Sequence, residues 1–408
     1  MHNLTAQPSP RQHETVALSS LRRRWAFVAL LYSGVWWLSY QLLQGFWRAP
    51  MAERWRIFSA AMVIILLVML WRGLRDNRRS EQSTLWPTFG YGNGLSLARG
   101  VLICLLAGFL FLPRPTIALT WLPALLYTAD RVIDLFDGYL ARITGRESKL
   151  GAMLDIELDG LGLLVVVLLG VQYGLLPAWY LILAGSRQLF VMGMWLRTRL
   201  GKPNRPLPPS DNRRVIAGFQ TGFLSVMLWP IMRPEVTQLL AIFFALPLFY
   251  SFGRDWLVVS ELVDPVSGAY MRTRGWIKRI FEQWLGLGAR VVGTGLVLTF
   301  IWQGWPTFAQ WQPILARMGW EAGLGVQVGL TLLLVIATAG FGLGFAPRLT
   351  GLILVAFAVL TIHTSGFGWD RHLLLLFCAV SVAHLGGGAW SHWQPEDRFL
   401  RTQMGRRR

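Results

Sequence analysis

Four carboxylates stand at fixed spacing inside two long apolar stretches: Asp134 and Asp137, then Asp155 and Asp159. A charge at membrane depth costs about 2.5–3.5 kcal/mol even on a lenient insertion scale, so such residues are kept there for a reason. On a helix, Asp134 and Asp137 (i, i+3) share one face, as do Asp155 and Asp159 (i, i+4). Two facing acidic pairs joined by a short loop form a cage of hard oxygen ligands suited to Mg²⁺, Mn²⁺ or Ca²⁺. A pair of such ions can clamp the attacking and leaving oxygens of a phosphoryl transfer. Asp134, Asp137 and Asp155 are the expected ligands. Asp159, one turn further on, is expected both to ligate and to accept the proton of an attacking nucleophile, which makes it the catalytic candidate.

The residues between the acids extend the pattern. Gly138 and Ala141 leave room for a ligand close to the backbone, and Arg142 can meet phosphate oxygens. Gly151 suits a loop that needs positive φ. Asp130 and Arg131 precede the first acid and are expected to pair with polar neighbours or the interface. Glu157 faces away from Asp155 and Asp159. A polar seam of Asp–Arg pairs without chemistry is the alternative, but such a seam has no need of the Gly, Ala and Arg positions.

The whole run, Asp134-x2-Asp137-Gly138-x2-Ala141-Arg142-x8-Gly151-x3-Asp155-x3-Asp159, resembles the signature motif of the CDP-alcohol phosphatidyltransferases, with no position missing. Upstream, Asn93-Gly-Leu-Ser96-Leu-Ala-Arg99 resembles the family's P-N-x-x-T-x-x-R opening, with Gly92 at the usual proline and Ser96 at the usual threonine. An ordinary helix start, with Asn93 or Ser96 as cap and Arg99 snorkelling to the interface, would read the same way. The resemblance implies two divalent cations, Mg²⁺ or Mn²⁺. It also implies a CDP site drawn from Asn93, Asp134, Gly138, Ala141, Arg142, Ser148 and Gly151. Members with phosphorylated acceptors place basic residues much as Arg187, Arg213 and Arg214 stand here, so these three are the expected acceptor-binding residues.

The elements that must position these groups are membrane helices. The 408 residues are 54% hydrophobic and only 15% charged, against about 25% in soluble domains. An all-α polytopic membrane protein of about twelve spans is expected. The windows fall near 25–46, 57–72, 99–113, 117–138, 152–172, 176–196, 215–232, 237–258, 281–303, 324–345, 349–364 and 371–387. The net charge of +18 does not mark a nucleic-acid binder. The basic residues gather at Arg22–Arg24, Arg72–Arg79, Arg142–Lys149, Arg197–Arg214, Arg272–Arg279 and Arg406–Arg408. With both termini in the cytoplasm, these clusters fall on the inner side, beside anionic lipid. The loop between the two acidic pairs then faces the cytoplasm, and a bacterial inner membrane is the simplest location. The first apolar run reads as an uncleaved anchor. The two cysteines, Cys104 and Cys378, lie inside expected spans and imply no disulfide framework.

Composition breaks divide the chain. Residues 1–24 read as a polar cytoplasmic tail and 25–87 as two leading helices. A six-span transferase domain is expected at 88–258, a linker at 259–280, a four-helix module at 281–387 and a basic tail at 388–408. The module, with Arg290-Val-Val-Gly293 and Gly344-Phe-Ala-Pro-Arg348, looks loosely like DoxX-type membrane modules. The expected activity is transfer of a phosphatidyl group from a CDP-alcohol such as CDP-diacylglycerol to the hydroxyl of a small alcohol, with release of CMP. The expected partners are that lipid donor, the alcohol and membrane lipids, and a homodimer is compatible. The rivals are a transporter, for which no second copy of the acidic pattern is found, and an inactive scaffold, against which all four Asp are intact.

Overall fold

The computed structural model describes residues 10–79, 84–115, 119–207, 211–304, 308–317 and 323–396. Among these the chain is helical throughout, with one isolated bridge between Phe345 and Trp393. The protein is an all-α membrane protein. Over the described residues each of the twelve expected windows overlaps a helix, with two at 176–196 and a π-helical stretch together with an α-helix at 281–303. Five helices are long and apolar enough to cross a bilayer: His13–Gln44, Ala49–Asp76, Pro234–Val259, Gly268–Trp302 and Leu324–Leu343. The helices that carry the acidic motif have 22 and 24 residues, but their charges keep them out of that set.

The chain divides into two compact units, one running to Ala184 together with Leu224–Pro230, the other holding the remainder. The first unit contains α1 (Pro10–Gln44), α2 (Ala49–Gly73), α3 (Tyr91–Ala107), α4 (Leu122–Ile143), α5 (Lys149–Gln172) and α6 (Tyr180–Ala184). Helix α1 begins well before the apolar run. Residues 13–24, read as tail, continue it, with Ala17 and Leu21 buried. Hydropathy registers only the apolar part of a helix whose polar turns emerge from the bilayer. Helices α1 and α2 are not a separate pair. Tyr32, Leu66 and Leu70 share one core with Ile103 and Cys104 of α3 and Leu150, Leu154 and Leu158 of α5. Tyr32 Oη donates to Leu97 O at 2.5 Å, tying α1 to α3.

The second unit contains α7 (Ser186–Arg199), α8 (Asp211–Met227, whose residues from Leu224 on belong to the first unit), α9 (Pro234–Val259), α10 (Gly268–Arg279), α11 (Gly286–Trp302), α12 (Phe308–Arg317), α13 (Leu324–Leu343), α14 (Pro347–Ser365) and α15 (Arg371–Leu385). The segment expected as a linker carries α10. Ser267 caps it by accepting from Tyr270 N at 3.2 Å, and a single π-helical stretch, Ile280–Leu285, joins it to α11. Arg290 of α11 is buried and donates to the carbonyls of Phe341, Gly342, Gly387, Ala389 and Trp390 at 2.7–3.4 Å. With its donors committed to main-chain oxygens that end α13 and follow α15, Arg290 is a structural clamp.

Candidate active site

Helix α4 carries Asp130, Asp134 and Asp137 along one face, at i, i+4 and i+7. Helix α5 carries Asp155 and Asp159 along one of its own. Between them stands α3, and α3 crosses α4 closely. A Cβ at Gly92 would lie 2.8 Å from Ala141 Cβ and 3.0 Å from Asp137 O, so the missing side chain permits the approach. Ala141, one residue before Arg142, therefore packs against Gly92.

Arg99 of α3 is wholly buried at the centre of the acids and does not snorkel. Its Nη1 lies 2.6 Å from Asp134 Oδ1, 2.9 Å from Asp137 Oδ2 and 3.0 Å from Asp155 Oδ1. Its Nη2 lies 2.6 Å from Asp159 Oδ1, and its Nε lies 3.2 Å from Asp130 Oδ1. Arg131 closes the other end, with Nη2 2.6 Å from Asp130 Oδ2 and Nη1 3.0 Å from Asp159 Oδ1. Asp130 is thus a paired residue, as expected of it. Asn93 and Ser96 are not caps, because α3 starts at Tyr91 and both side chains are buried. Ser96 Oγ donates to Asp137 Oδ2 at 3.1 Å.

The cage has a closed and an open side. Asp130 and Asp137 are 1% and 7% exposed, whereas Asp155 and Asp159 are 49% and 47% exposed, so a ligand approaches from α5. Five carboxylates face two guanidinium groups, a formal excess of three negative charges. The donor oxygens of Asp134, Asp137 and Asp155 lie within 4.8 Å of one another. Oxygens around one Mg²⁺ stand about 2.0–2.1 Å from it and hence up to about 4.2 Å apart, so small rotations bring these three into range. That Arg99 Nη1 sits within 3.0 Å of all three shows that they converge on one cationic point. The residues present fit a divalent cation.

The loop between the acidic helices is built differently from expectation. Gly151 lies in the first turn of α5, and the positive φ falls on Gly145, at 63°. What Gly151 permits is close approach: a Cβ there would stand 2.5 Å from Asn93 Oδ1. Ser148 is the N-cap of α5, its Oγ accepting from Gly151 N at 3.0 Å. Asn93 Nδ2 donates to Ser148 Oγ at 3.2 Å and to Asn77 Oδ1 at 3.3 Å. Arg142 is exposed, and its Nη1 would lie 3.2 Å from a Cβ placed on Gly138. Any side chain at 138 would crowd Arg142 away. Glu157 is exposed, apart from the cage.

The expected acceptor residues belong to the second unit. Arg187 is exposed in the first turn of α7. Arg213 and Arg214 lie on α8, and their side chains are outside the described residues. The motif unit therefore assembles Asp134, Asp137, Asp155 and Asp159, with Arg99 and Arg131 added by the fold.

Residues 89–251 match the CDP-alcohol phosphatidyltransferase family. A CDP-diacylglycerol–glycerol-3-phosphate 3-phosphatidyltransferase of Cereibacter sphaeroides is 35% identical over 89 residues, covering 21% of this chain and 39% of that protein. A protein of Mycobacterium tuberculosis named "Putative cardiolipin synthase" is 27% identical over 140 residues, covering 33% of this chain and 63% of its own length. The chain thus spans less than two thirds of either relative. No solved structure matches significantly. The acidic motif, the convergence of its carboxylates and the family match agree: residues 89–251 are a CDP-alcohol phosphatidyltransferase domain.

Proposed function

We propose that this chain transfers a phosphatidyl group from CDP-diacylglycerol to the hydroxyl of a small phosphorylated alcohol, releasing CMP. The observation that carries the reading is the convergence of Asp134, Asp137 and Asp155 within 4.8 Å, beside the half-exposed Asp159. Asp134, Asp137, Asp155 and Asp159 would hold two divalent cations, Mg²⁺ or Mn²⁺. When bound, these neutralise the pyrophosphate and favour ionisation of the attacking hydroxyl. Arg142, beside Gly138, donates to phosphate oxygens of the CDP moiety. Asp159 accepts the proton of the alcohol as its oxygen bonds to phosphorus and the bond from phosphorus to the CMP oxygen breaks. Arg131, bridging Asp130 and Asp159, keeps that carboxylate oriented toward the open side.

The acceptor assignment rests on charge. Arg187, Arg213 and Arg214 are basic groups of the kind that grips a phosphate, and the name of the Cereibacter relative specifies glycerol 3-phosphate. Arg187→Ala is expected to raise the KM for a phosphorylated acceptor about tenfold or more, with CDP binding unchanged, as loss of one charge-assisted contact predicts. An unchanged acceptor KM would remove Arg187 from the site.

The site faces the cytoplasm in this reading, where CDP-linked substrates and divalent cations are supplied. A cysteine introduced at the exposed Glu147 is expected to react with a membrane-impermeant maleimide only in inside-out vesicles. Background is low because Cys104 and Cys378 are buried. Reaction at position 147 in intact cells would contradict the orientation.

A further inference from the structure

Residues 74–88 precede the family-matched range, yet they grip the loop that joins the two acidic helices. Asn77 is fully buried. Its Nδ2 donates to Trp86 O and Thr88 O, each at 3.0 Å, and its Oδ1 accepts from Asn93 Nδ2 at 3.3 Å. Asn93 passes the connection to Ser148 Oγ, the N-cap of α5. A second link runs through the main chain, where Lys149 N donates to Arg78 O at 2.9 Å. A third joins Arg146 Nη1 to Thr88 Oγ1 at 2.8 Å. Behind them α2 ends against the start of α5: a Cβ on Gly73 would lie 2.7 Å from both Leu150 Cδ1 and Met153 Cε. Three hydrogen-bonded links and one packed contact thus converge on residues 146–153.

We infer that the end of α2 and the segment that joins it to α3 are a positioning device for the nucleotide, with Asn77 and Arg78 O as the latch that fixes the 143–149 loop and the first turn of α5. The inference rests on the reading of Arg142, Ser148 and Gly151 as CDP-binding residues. Arg142, Ser148 and Gly151 sit beside or on that loop and turn, so its register matters to the nucleotide and little to the acceptor. Asn77 reaches the nucleotide only through Asn93 and Ser148, which makes it a positioning residue.

The main-chain link admits a clean test. Lys149 is the first residue of α5, where proline is accommodated, and Ser148 before it is extended (φ −116°, ψ 155°), as a residue preceding proline must be. Lys149→Pro deletes the N–H given to Arg78 O, while Lys149→Ala deletes only the charge and serves as the reference. The full-length protein in nanodiscs would be titrated with CDP and Mg²⁺, and amide exchange followed over residues 143–151. Lys149→Pro is expected to weaken CDP binding about fivefold relative to Lys149→Ala, the usual worth of one neutral hydrogen bond. It should also raise the donor KM equally, leave the acceptor KM unchanged and speed exchange of the Gly145 and Arg146 amides. Asn77→Ala should do the same if it folds. Equal CDP affinity and equal exchange in Lys149→Pro and Lys149→Ala would overturn the latch, whatever Asn77→Ala does. If the wild type fails to bind CDP, the transferase reading falls, and the exchange comparison alone decides whether 77–78 hold the loop.

Discussion

Asp159→Asn is expected to stay folded and to bind CDP and metal with near-normal affinity while losing roughly 10²–10⁴-fold in turnover, the usual cost of removing a general base. The carboxamide oxygen can still accept from Arg99 Nη2 and Arg131 Nη1, which now lie 2.6 and 3.0 Å from Asp159 Oδ1. What it lacks is the ability to take a proton. Asp134→Ala is the contrasting change. It removes an oxygen 2.6 Å from Arg99 Nη1, one of the three converging donors, and so should lose metal-dependent CDP binding together with rate. Single-turnover kinetics and CDP titrations on both variants separate the two roles. If Asp159→Asn keeps more than about a tenth of wild-type kcat, less than the smallest effect of a general base, the role passes to Asp155.

The second large effect concerns Arg99. Removing one partner of a buried ion pair typically costs about 3–5 kcal/mol, because the charges left behind have no compensation. Arg99 compensates more than a pair: four carboxylates lie within 3.0 Å of it and a fifth at 3.2 Å. Arg99→Met, similar in length and uncharged, should therefore unfold at a distinctly lower temperature than the wild type in EDTA. Saturating Mg²⁺ should restore much of the difference, since a cation bound only by the folded state stabilises it. Arg99→Lys should fall between, because an ammonium has three donors and cannot span the same fork. Equal unfolding midpoints for wild type and Arg99→Met in EDTA would show that the cage does not depend on this guanidinium.

How much of this was legible depended on whether information lay in local spacing or in packing. The i, i+3 and i, i+4 acids could be read from the sequence because helical periodicity alone puts each pair on one face. Arg99 could not. An arginine near the start of an apolar helix has the same local sequence whether it snorkels or turns inward, and only the fold of α3 between α4 and α5 decides. One signal was available: Arg99 is the last position of the Asn93-x2-Ser96-x2-Arg99 run that resembles the family's opening. Gly151 was misread for a related reason. Two glycines flank the loop, and the one needing positive φ, Gly145, is set by where α4 ends rather than by the motif. Helix α10 was read as linker because its mean polarity is high, although Ser267 stood at its start as a capping residue. The role of Asn77 was invisible, since a buried amide that bridges distant backbone segments has no sequence periodicity.

The central claim is best tested by incubating the purified full-length protein with CDP-diacylglycerol, Mg²⁺ or Mn²⁺ and a panel of small alcohols that includes glycerol 3-phosphate, and following CMP release. The account predicts CMP release that requires one of the alcohols, yields a phosphatidyl product of that alcohol and stops when EDTA removes the divalent cation. Undiminished turnover after the metal has been removed, or no CMP from folded protein with any alcohol in the panel, would contradict it.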